Sequence, residues 1–395
     1  MSHIGLTKLS RQRVVSEMEF PPPTSAYLHV PFCLHKCGYC DFTVIAGRND
    51  LIGTYLECLE KEIRQQLTVP QPMKTLFIGG GTPSLLSASE LERLFSVLRT
   101  WLPLEEGGEF SIECNPEQLT VDRMSVMRDA GVNRVSLGVQ SFHDVHLRTL
   151  ERSHTSRTVE QVVDSFRRVG INNISLDLIF AVPGQTLEEW RADLMAAIAL
   201  EPYHISTYGL TYEKGTAFWT RRQKNQLQQA PEELERNQYA LAMELLPASG
   251  YLQYELSNFA RPGWESRHNR IYWQGKSFYG FGPGAAAFIN GTRTSNHRSV
   301  TTWIRRLQNG QSPVQEREPF EPDLRRREAV MLGLRQIDGI DRDEYQRRNG
   351  ISMSELAPTA YEELLQNGLI EEIGPWTRLT LAGRFIADTV IAEFL

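Results

Sequence analysis

The chain has 395 residues, of which 41% are hydrophobic and 23% are charged, as in an ordinary globular protein. Its formal net charge of −6 argues against a broad nucleic-acid-binding surface. No run approaches the roughly 18 apolar residues of a membrane span, and the polar leader over residues 1–24 lacks the apolar region of a secretory signal. We therefore expect neither a nucleic-acid partner nor an integral membrane segment.

Strands and helices are predicted to alternate over residues 25–250. Strands are predicted at 26–30, 75–78, 109–113, 134–139, 173–180 and 204–210. Helices are predicted at 51–67, 87–101, 121–130, 158–169, 187–200 and 232–250. Because parallel strands need helical crossovers, this order predicts an α/β chain with a parallel sheet. The six strand–helix units predict a partial (β/α)6 barrel of the TIM type, with its chemistry at the carboxyl ends of the strands.

The pattern changes after residue 250. Residues 251–318 are rich in aromatic, glycine and polar residues and are predicted to form a connecting segment. In residues 319–395 helices are predicted at 324–334, 353–367 and 379–394, and two short apolar runs flank Gly374. These runs predict a small β-wing. We therefore expect a C-terminal helical domain of the winged-helix type, which serves either to bind nucleic acid or as a structural cap.

Three of the five cysteines, Cys33, Cys37 and Cys40, form a C-x3-C-x2-C pattern directly after the first predicted strand. Thiolates are preferred ligands of iron–sulfur clusters, and three of them can hold three irons of a [4Fe–4S] cube and leave the fourth iron open. A zinc site would need a fourth ligand, and His35 inside the loop is poorly placed for the same metal. The pattern predicts a [4Fe–4S] cluster in a reducing, cytoplasmic setting.

A second motif, GGGTP at residues 79–83, follows the second predicted strand. Glycine there lets the backbone approach a ligand closely, although GGGTP alone is also typical of a tight turn. Together with the three cysteines and with Tyr39 before the third of them, this motif resembles the radical S-adenosylmethionine (radical SAM) superfamily. The resemblance implies that the open iron binds the amino and carboxylate groups of S-adenosylmethionine.

Further stretches, at residues 27–33, 77–86, 112–117, 131–142 and 177–179, carry a closer similarity. Over residues 25–390 the chain resembles a family that contains oxygen-independent coproporphyrinogen III oxidases and heme chaperones of the HemW type. By this resemblance the S-adenosylmethionine site is lined by Tyr27, Gly80, Thr82, Glu113, Gln140, Arg152 and Asp177. Glu113 and Asp177 stand at or near strand ends, where a carboxylate can meet an ammonium group or ribose hydroxyls. Any one of these polar residues could instead be a helix cap or a surface hydrogen-bonding partner. The prediction therefore depends on the fit of the whole set to the strand ends.

Two features distinguish the relatives. The oxidases carry a further cysteine two residues after the third cluster ligand, where this chain has Phe42. The chaperones carry Cys-Asp-Phe there, as this chain does, and an HNxxYW motif that matches residues 268–273 and is taken to bind heme. Imidazole is a good axial ligand of heme iron, so His268 is the candidate ligand. The alternative is a core histidine that is hydrogen-bonded to Asn269 or to a backbone carbonyl.

These features together predict a heme chaperone that binds heme, a [4Fe–4S] cluster and S-adenosylmethionine, and transfers heme to acceptor proteins. An electron donor for the cluster is a further expected partner. The alternative is a radical enzyme of the coproporphyrinogen III oxidase type, which decarboxylates porphyrinogen propionates. One departure from the chaperones lies after Phe281, where they usually have a histidine and this chain has Gly-Pro-Gly-Ala-Ala-Ala-Phe.

Overall fold

The computed structural model describes residues 22–117, 119–318 and 321–395, so residues 1–21 of the predicted leader lie outside the described residues. Numbered in chain order, the strands are β1 (Ser25–Val30), β2 (Phe32–Cys33), β3 (Ile45–Ala46), β4 (Met73–Gly80), β5 (Leu104–Cys114), β6 (Arg134–Gln140), β7 (Asn173–Phe180), β8 (His204–Gly209), β9 (Leu252–Gln253), β10 (Asn258–Ala260), β11 (Tyr279–Phe281), β12 (Ala286–Ile289), β13 (Thr292–Asn296), β14 (Val314–Glu318), β15 (Ile340–Asp341), β16 (Ile370–Ile373) and β17 (Trp376–Leu379). Nine of them form the main sheet, in the order β11-β1-β4-β5-β6-β7-β8-β10-β9.

The centre of this sheet is the predicted parallel core. Strands β1, β4, β5, β6, β7 and β8 are successive parallel neighbours, which confirms the six predicted strands. Among the described strands no ladder joins β11 to β9, so the barrel is partial, as expected. Because all six strands run the same way, their carboxyl ends lie along one rim.

Helices follow the parallel strands, and further helices form the C-terminal region. They are α1 (Ile52–Gln66), α2 (Ala88–Trp101), α3 (Val121–Asp129), α4 (Asp144–Thr149), α5 (Ser156–Arg168), α6 (Leu187–Ala199), α7 (Ala217–Gln223), α8 (Glu232–Ala248), α9 (Arg267–Trp273), α10 (Val300–Gln308), α11 (Pro322–Gly333), α12 (Arg342–Asn349), α13 (Met353–Leu356), α14 (Pro358–Gln366), α15 (Leu381–Phe385) and α16 (Ala387–Ala392). Ser87, Thr155 and Thr186 begin three of the crossover helices with reciprocal capping boxes, which satisfy backbone N–H groups that the helix leaves free.

The predicted connecting segment contributes to the main sheet. Strands β10 and β9 extend it in antiparallel fashion beyond β8, and β11 pairs in parallel with β1 at the other edge. Strands β12, β13 and β14 form a separate antiparallel sheet. These strands have two to five residues, too few to show a period of two in the sequence. The domain limits at residues 250 and 318 stay predictions.

Two apolar cores are present. The larger fills the space between the main sheet and its helices and includes Trp190, Phe259 and Trp303. The smaller is built from residues 330–394 together with Leu256 from the connecting segment. Within the part of the chain that the structure describes, no helix has both the length and the apolar character needed to cross a bilayer.

The C-terminal region combines helices with a hairpin. Strands β16 and β17 pair around Gly374, which has a φ of 57°, and this confirms the predicted wing. The continuous helix predicted at 353–367 is wrong: it divides into α13 and α14 because Pro358 excludes Ala357 from the helical region. The helix predicted at 379–394 is also wrong in detail, since it divides at Ile386, where φ is −126°.

Candidate functional site

The three cysteines lie on the loop that follows β1, and this loop closes on itself. Cys33 belongs to β2, which pairs in parallel with β3 beyond the third cysteine. The N–H of Gly47 donates to the carbonyl of Cys33 at 3.3 Å, and the N–H of Cys40 donates to the carbonyl of Cys37 at 3.0 Å. Backbone hydrogen bonds therefore set the spacing of the cysteines.

All three thiols line one cavity of about 540 Å³, the cluster cavity, which is also lined by residues at the carboxyl ends of the parallel strands. Burial raises the pKa of Cys33 and raises that of Cys40 to about 11, and the nearby Cys37 thiol adds to both shifts. Thiols with raised pKa values are protonated, and they release their protons when a metal ion binds to the sulfur atoms. No group of three or more His, Cys, Asp or Glu side chains among the described residues could hold a single metal ion. Three thiols that line one cavity match the three protein ligands of an iron–sulfur cluster with one open iron.

The turn after β4 packs its backbone against this loop. Gly80 has a φ of 110°, and a Cβ atom there would lie 2.5 Å from the imidazole of His29. A Cβ on Gly81 would lie 2.7 Å from the carbonyl oxygen of Phe32. The N–H of Thr82 donates to that same carbonyl at 2.8 Å. The GGGTP motif is therefore needed for the close approach of two backbone segments at the cavity.

The hydroxyl of Thr82 connects this turn to two other elements. It lies 3.5 Å from Sγ of Cys33 and accepts a hydrogen bond from Nδ2 of Asn115 at 3.0 Å. Asn115 directly follows β5, lines the cluster cavity and was not identified from the sequence. Its position directly after a barrel strand was the signal that could have identified it.

Two partly buried carboxyl groups lie in the same cavity. Oε2 of Glu113 accepts a hydrogen bond from the N–H of Gly80 at 2.9 Å. Asp177 accepts hydrogen bonds from the hydroxyls of Ser206 at 2.7 Å and Ser136 at 2.8 Å. Burial raises the pKa of Asp177, and burial, together with the nearby Asp177, raises that of Glu113 to about 7. Such carboxyl groups favour a cationic ligand, because a positive charge would stabilise their ionised forms.

Gln140 is the last residue of β6, and Arg152, which follows α4, reaches β6 through its side chain. Gln140 has a φ of 64°, and a Cβ on Gly138 would come within 2.9 Å of its Nε2 atom. Nη2 of Arg152 donates to Oε2 of Glu117 and to the carbonyl of Gly138, both at 3.2 Å, whereas its buried Nε has no hydrogen-bond partner. Arg152 is therefore oriented by an internal carboxylate.

Six of the seven predicted S-adenosylmethionine residues line the cluster cavity together with the cysteines: Gly80, Thr82, Glu113, Gln140, Arg152 and Asp177. Tyr27 instead lines a neighbouring cavity of about 420 Å³, and its hydroxyl lies 3.0 Å from Nδ1 of His29. The segment in which the chaperones have a histidine contributes Ala285 to this neighbouring cavity. The roles of all seven residues toward S-adenosylmethionine stay predictions.

His268 is buried beneath the cluster cavity rather than exposed in it. Its Nδ1 lies 2.8 Å from Oγ1 of Thr75, its Nε2 lies 2.9 Å from the hydroxyl of Tyr272, and its ring stacks on Phe77. Burial lowers its pKa to about 3, so the ring is neutral. Both ring nitrogens are hydrogen-bonded, and His268 presents no free nitrogen to a heme iron in this structure. The hydrogen-bonding partners of His268 are Thr75 and Tyr272 rather than Asn269, and its role as a heme ligand stays a prediction.

Glu151 also serves the cluster loop and was not identified from the sequence. It has a φ of 56°, and its carboxylate accepts hydrogen bonds from the N–H of Gly38 at 2.9 Å and from Nε2 of His35 at 2.7 Å. Arg221 on α7 pairs with the same carboxylate at 2.9 Å. Its position directly before Arg152 was the available signal.

Arg134 is a further residue that sequence analysis missed. It is 2% exposed, it lines the cluster cavity, and its Nε has no hydrogen-bond partner. Its positive charge acts to lower the pKa values of Glu113 and Asp177, against the larger effect of burial. An arginine at the start of an otherwise apolar strand was the signal.

Comparison with known proteins agrees with this geometry. Residues 27–196 match the radical SAM superfamily, and residues 320–386 match the HemN C-terminal domain. A solved structure of the coproporphyrinogen III oxidase HemN from Escherichia coli, a radical SAM enzyme, aligns with a TM-score of 0.83 over 98% of this chain and 93% of that chain. The sequence identity to it is 22%, so this likeness shows a common fold.

Closer relatives are heme chaperones. The chain is 37% identical over 374 residues to the heme chaperone HemW of Bacillus subtilis, which covers 94% of this chain and 99% of that protein. It is 33% identical over 384 residues to the heme chaperone HemW of Escherichia coli, covering 95% of this chain and 98% of that protein. The barrel, the cysteine loop and this near full-length similarity together show that the chain belongs to the HemW family of the radical SAM superfamily.

Proposed function

We propose that this chain is a heme chaperone that binds heme, a [4Fe–4S] cluster and S-adenosylmethionine and hands heme to acceptor proteins. The observation that carries the proposal is Phe42, two residues after Cys40, where the oxidases have a further cysteine. Its side chain is 57% exposed and lines the cluster cavity. A phenyl ring supplies no thiol, so Phe42 cannot replace the additional cysteine that distinguishes the oxidases. In addition, the relatives named as heme chaperones match nearly the whole chain.

The cluster cavity has the groups that its two cofactors need. The thiolates of Cys33, Cys37 and Cys40 would hold a [4Fe–4S] cluster, which supplies an open iron site and one electron to S-adenosylmethionine. Glu113 would accept a hydrogen bond from the iron-bound amino group of that cofactor. Asp177, oriented by its serine partners, would accept hydrogen bonds from ribose hydroxyls.

The cysteine loop supports a proposal for the electron donor and for the cellular setting. Residues 34–36, between the first and second cysteines, are exposed, and Leu34 is 51% exposed. A reducing protein would approach the cluster across this face, because electron transfer needs a short path. Free thiols and an oxygen-sensitive cluster require a reducing compartment, so we propose a cytoplasmic location.

One comparison tests the proposal. The chain is purified without oxygen, its cluster is reconstituted, and heme binding and coproporphyrinogen III turnover are measured on the same sample with S-adenosylmethionine and a reductant. We expect binding of about one equivalent of heme and no protoporphyrinogen. Rapid formation of protoporphyrinogen by a sample that binds no heme would contradict the chaperone function and support the oxidase function instead.

Transfer is tested by mixing the heme-loaded chain with an apoprotein that binds heme. We expect the Soret band of the acceptor to appear faster than it does with free heme at the same concentration. Equal rates would show that the chain stores heme without delivering it.

A further inference from the structure

A separate cavity of about 370 Å³ lies between the core and the C-terminal region. Its walls come from α9, from strands β12 and β13, and from helices α11 and α12, and no residue lines both it and the cluster cavity. Its volume falls within the range of about 300–1,000 Å³ that is typical of small-molecule sites. We call it the domain cavity.

One side of the domain cavity is apolar and aromatic. The rings of Tyr272 and Phe278 meet edge to face, with centroids 4.7 Å apart. Phe278 and Phe288 exchange backbone hydrogen bonds of 2.9 and 3.0 Å, which fixes their side chains relative to each other, and Leu332 of α11 lies across the cavity. Aromatic walls of this kind suit a flat, apolar ligand.

The remaining lining is strongly basic. The cationic residues are Lys276, Arg293, Arg325, Arg347 and Arg348. Glu328 is the one acidic side chain among the described residues that line the cavity, and it pairs with Arg293 and Arg325. The other three cations are exposed at the rim. In a chain of net charge −6 this concentration of positive charge favours an anionic ligand.

The HNxxYW motif forms part of the wall of this cavity. Tyr272 lines it, and the hydroxyl of Tyr272 lies 2.9 Å from Nε2 of His268, whose other ring nitrogen is bonded to Thr75 of the barrel. His268 therefore acts through Tyr272 as a positioning residue: it orients the aromatic wall and does not itself face the ligand.

We propose that the domain cavity is the heme-docking site, with the macrocycle against Tyr272 and Phe278 and the propionates on Lys276 and Arg347. This inference rests on the proposed heme-chaperone function and locates its cargo. The described residues that line the cavity include no His, Cys or Met, so the porphyrin is held by its face and its carboxylates. A porphyrin is larger than this cavity, so part of the ring stays in solvent, as release to an acceptor requires.

The test is a titration of the full chain with heme, iron-free protoporphyrin IX and its dimethyl ester, followed by Soret absorbance and fluorescence. Because the propionates carry the recognition, we expect iron-free protoporphyrin to bind within about threefold of heme and the ester at least about tenfold more weakly. The variant with Lys276→Glu and Arg347→Glu should bind heme at least about tenfold more weakly. The matched control is Arg157→Glu with Arg168→Glu, which reverses two exposed charges on α5 and should leave heme affinity unchanged.

The outcomes separate this proposal from the proposed function. If the unmodified chain binds no heme, the chaperone function fails. If it binds heme and the Lys276/Arg347 variant binds equally well, the docking site lies elsewhere and the function stands. A large preference for heme over the iron-free porphyrin would show that iron ligation holds the cargo, and would overturn the docking mode.

Discussion

Nε2 of His35 lies 2.7 Å from the carboxylate of Glu151 across 116 positions of the chain. The same carboxylate accepts the N–H of Gly38 at 2.9 Å and pairs with Arg221. The loop between the first and third cysteines is therefore held in place by residues after β6 and on α7. Because a cluster needs its thiolates at defined positions, we expect the stability of the cluster to depend on this carboxylate.

Replacing Glu151 with Ala should make the reconstituted cluster more sensitive to oxygen without unfolding the chain. The change removes the acceptor for two loop donors, so the thiolates lose their fixed spacing. The half-life of the 400 nm absorbance in air measures this, with iron content as a second reading. The control is Glu160→Ala on the exposed side of α5, and an unchanged half-life in Glu151→Ala would contradict the role.

Replacing any one of Cys33, Cys37 or Cys40 with Ala should abolish the [4Fe–4S] signal, because two thiolates do not hold the cube. Cys58 and Cys114 are buried in α1 and β5, outside the loop, and their Ala variants should keep the cluster. Iron and sulfide analysis with electron paramagnetic resonance of the reduced protein measures the outcome. Loss of the cluster in Cys58→Ala and its retention in Cys33→Ala would refute the assignment.

The affinity for S-adenosylmethionine should increase as the pH rises through about 7. The pKa of Glu113 is raised by burial to about 7, so its carboxyl group gains its charge in this window and then accepts a stronger hydrogen bond from the iron-bound amino group. Glu113→Gln should reduce the pH dependence and weaken binding by about 1.5–3 kcal/mol. Equilibrium dialysis of the anaerobic protein between about pH 6 and 8 measures both effects. An affinity independent of pH in the unmodified chain would contradict this role.

The raised pKa of Glu113 also leads to a prediction about the stability of the fold in the absence of ligand. A folded-state pKa above the ordinary value of 4.5 means that the folded chain binds this proton more tightly than the unfolded chain. The free energy of unfolding should therefore fall as the pH rises from about 4.5 to 7. Glu62, also raised by burial to about 7, contributes in the same direction. Glu62→Gln should reduce this slope without changing the affinity for S-adenosylmethionine, which makes it the matched control.

Replacing His268 with Ala should destabilise the fold by about 1–3 kcal/mol, because Thr75 and Tyr272 lose a buried hydrogen-bonding partner. Heme should bind more weakly, since Tyr272 is no longer oriented, but the Soret maximum of the bound heme should stay where it is. Tyr272→Phe removes the same hydrogen bond and keeps the ring, so it should weaken heme binding in the same direction. A shifted Soret maximum in His268→Ala would instead identify His268 as an axial ligand of the iron.

Several features of this protein could be predicted from the sequence because they depend on neighbouring residues. The six parallel strands were visible as apolar runs separated by helical periods, and the cysteine pattern lies within one loop. The break between α13 and α14 also has a local cause. Pro358 marks it in the sequence, and the prediction of one continuous helix at 353–367 did not take this proline into account.

The parallel core, the cysteine loop and the family resemblance could be predicted because spacing along the chain encodes each of them. The surroundings of the motif residues depend instead on packing between distant segments. His268 follows Thr75 by 193 positions and Glu151 follows His35 by 116, so the state of each imidazole depends on a contact that no local pattern records. The short strands β9, β10 and β11 join the sheet because β8 and β1 offer unpaired backbone edges there. Hydrogen bonds between distant segments form only once the chain is packed, and for that reason spacing alone did not show them.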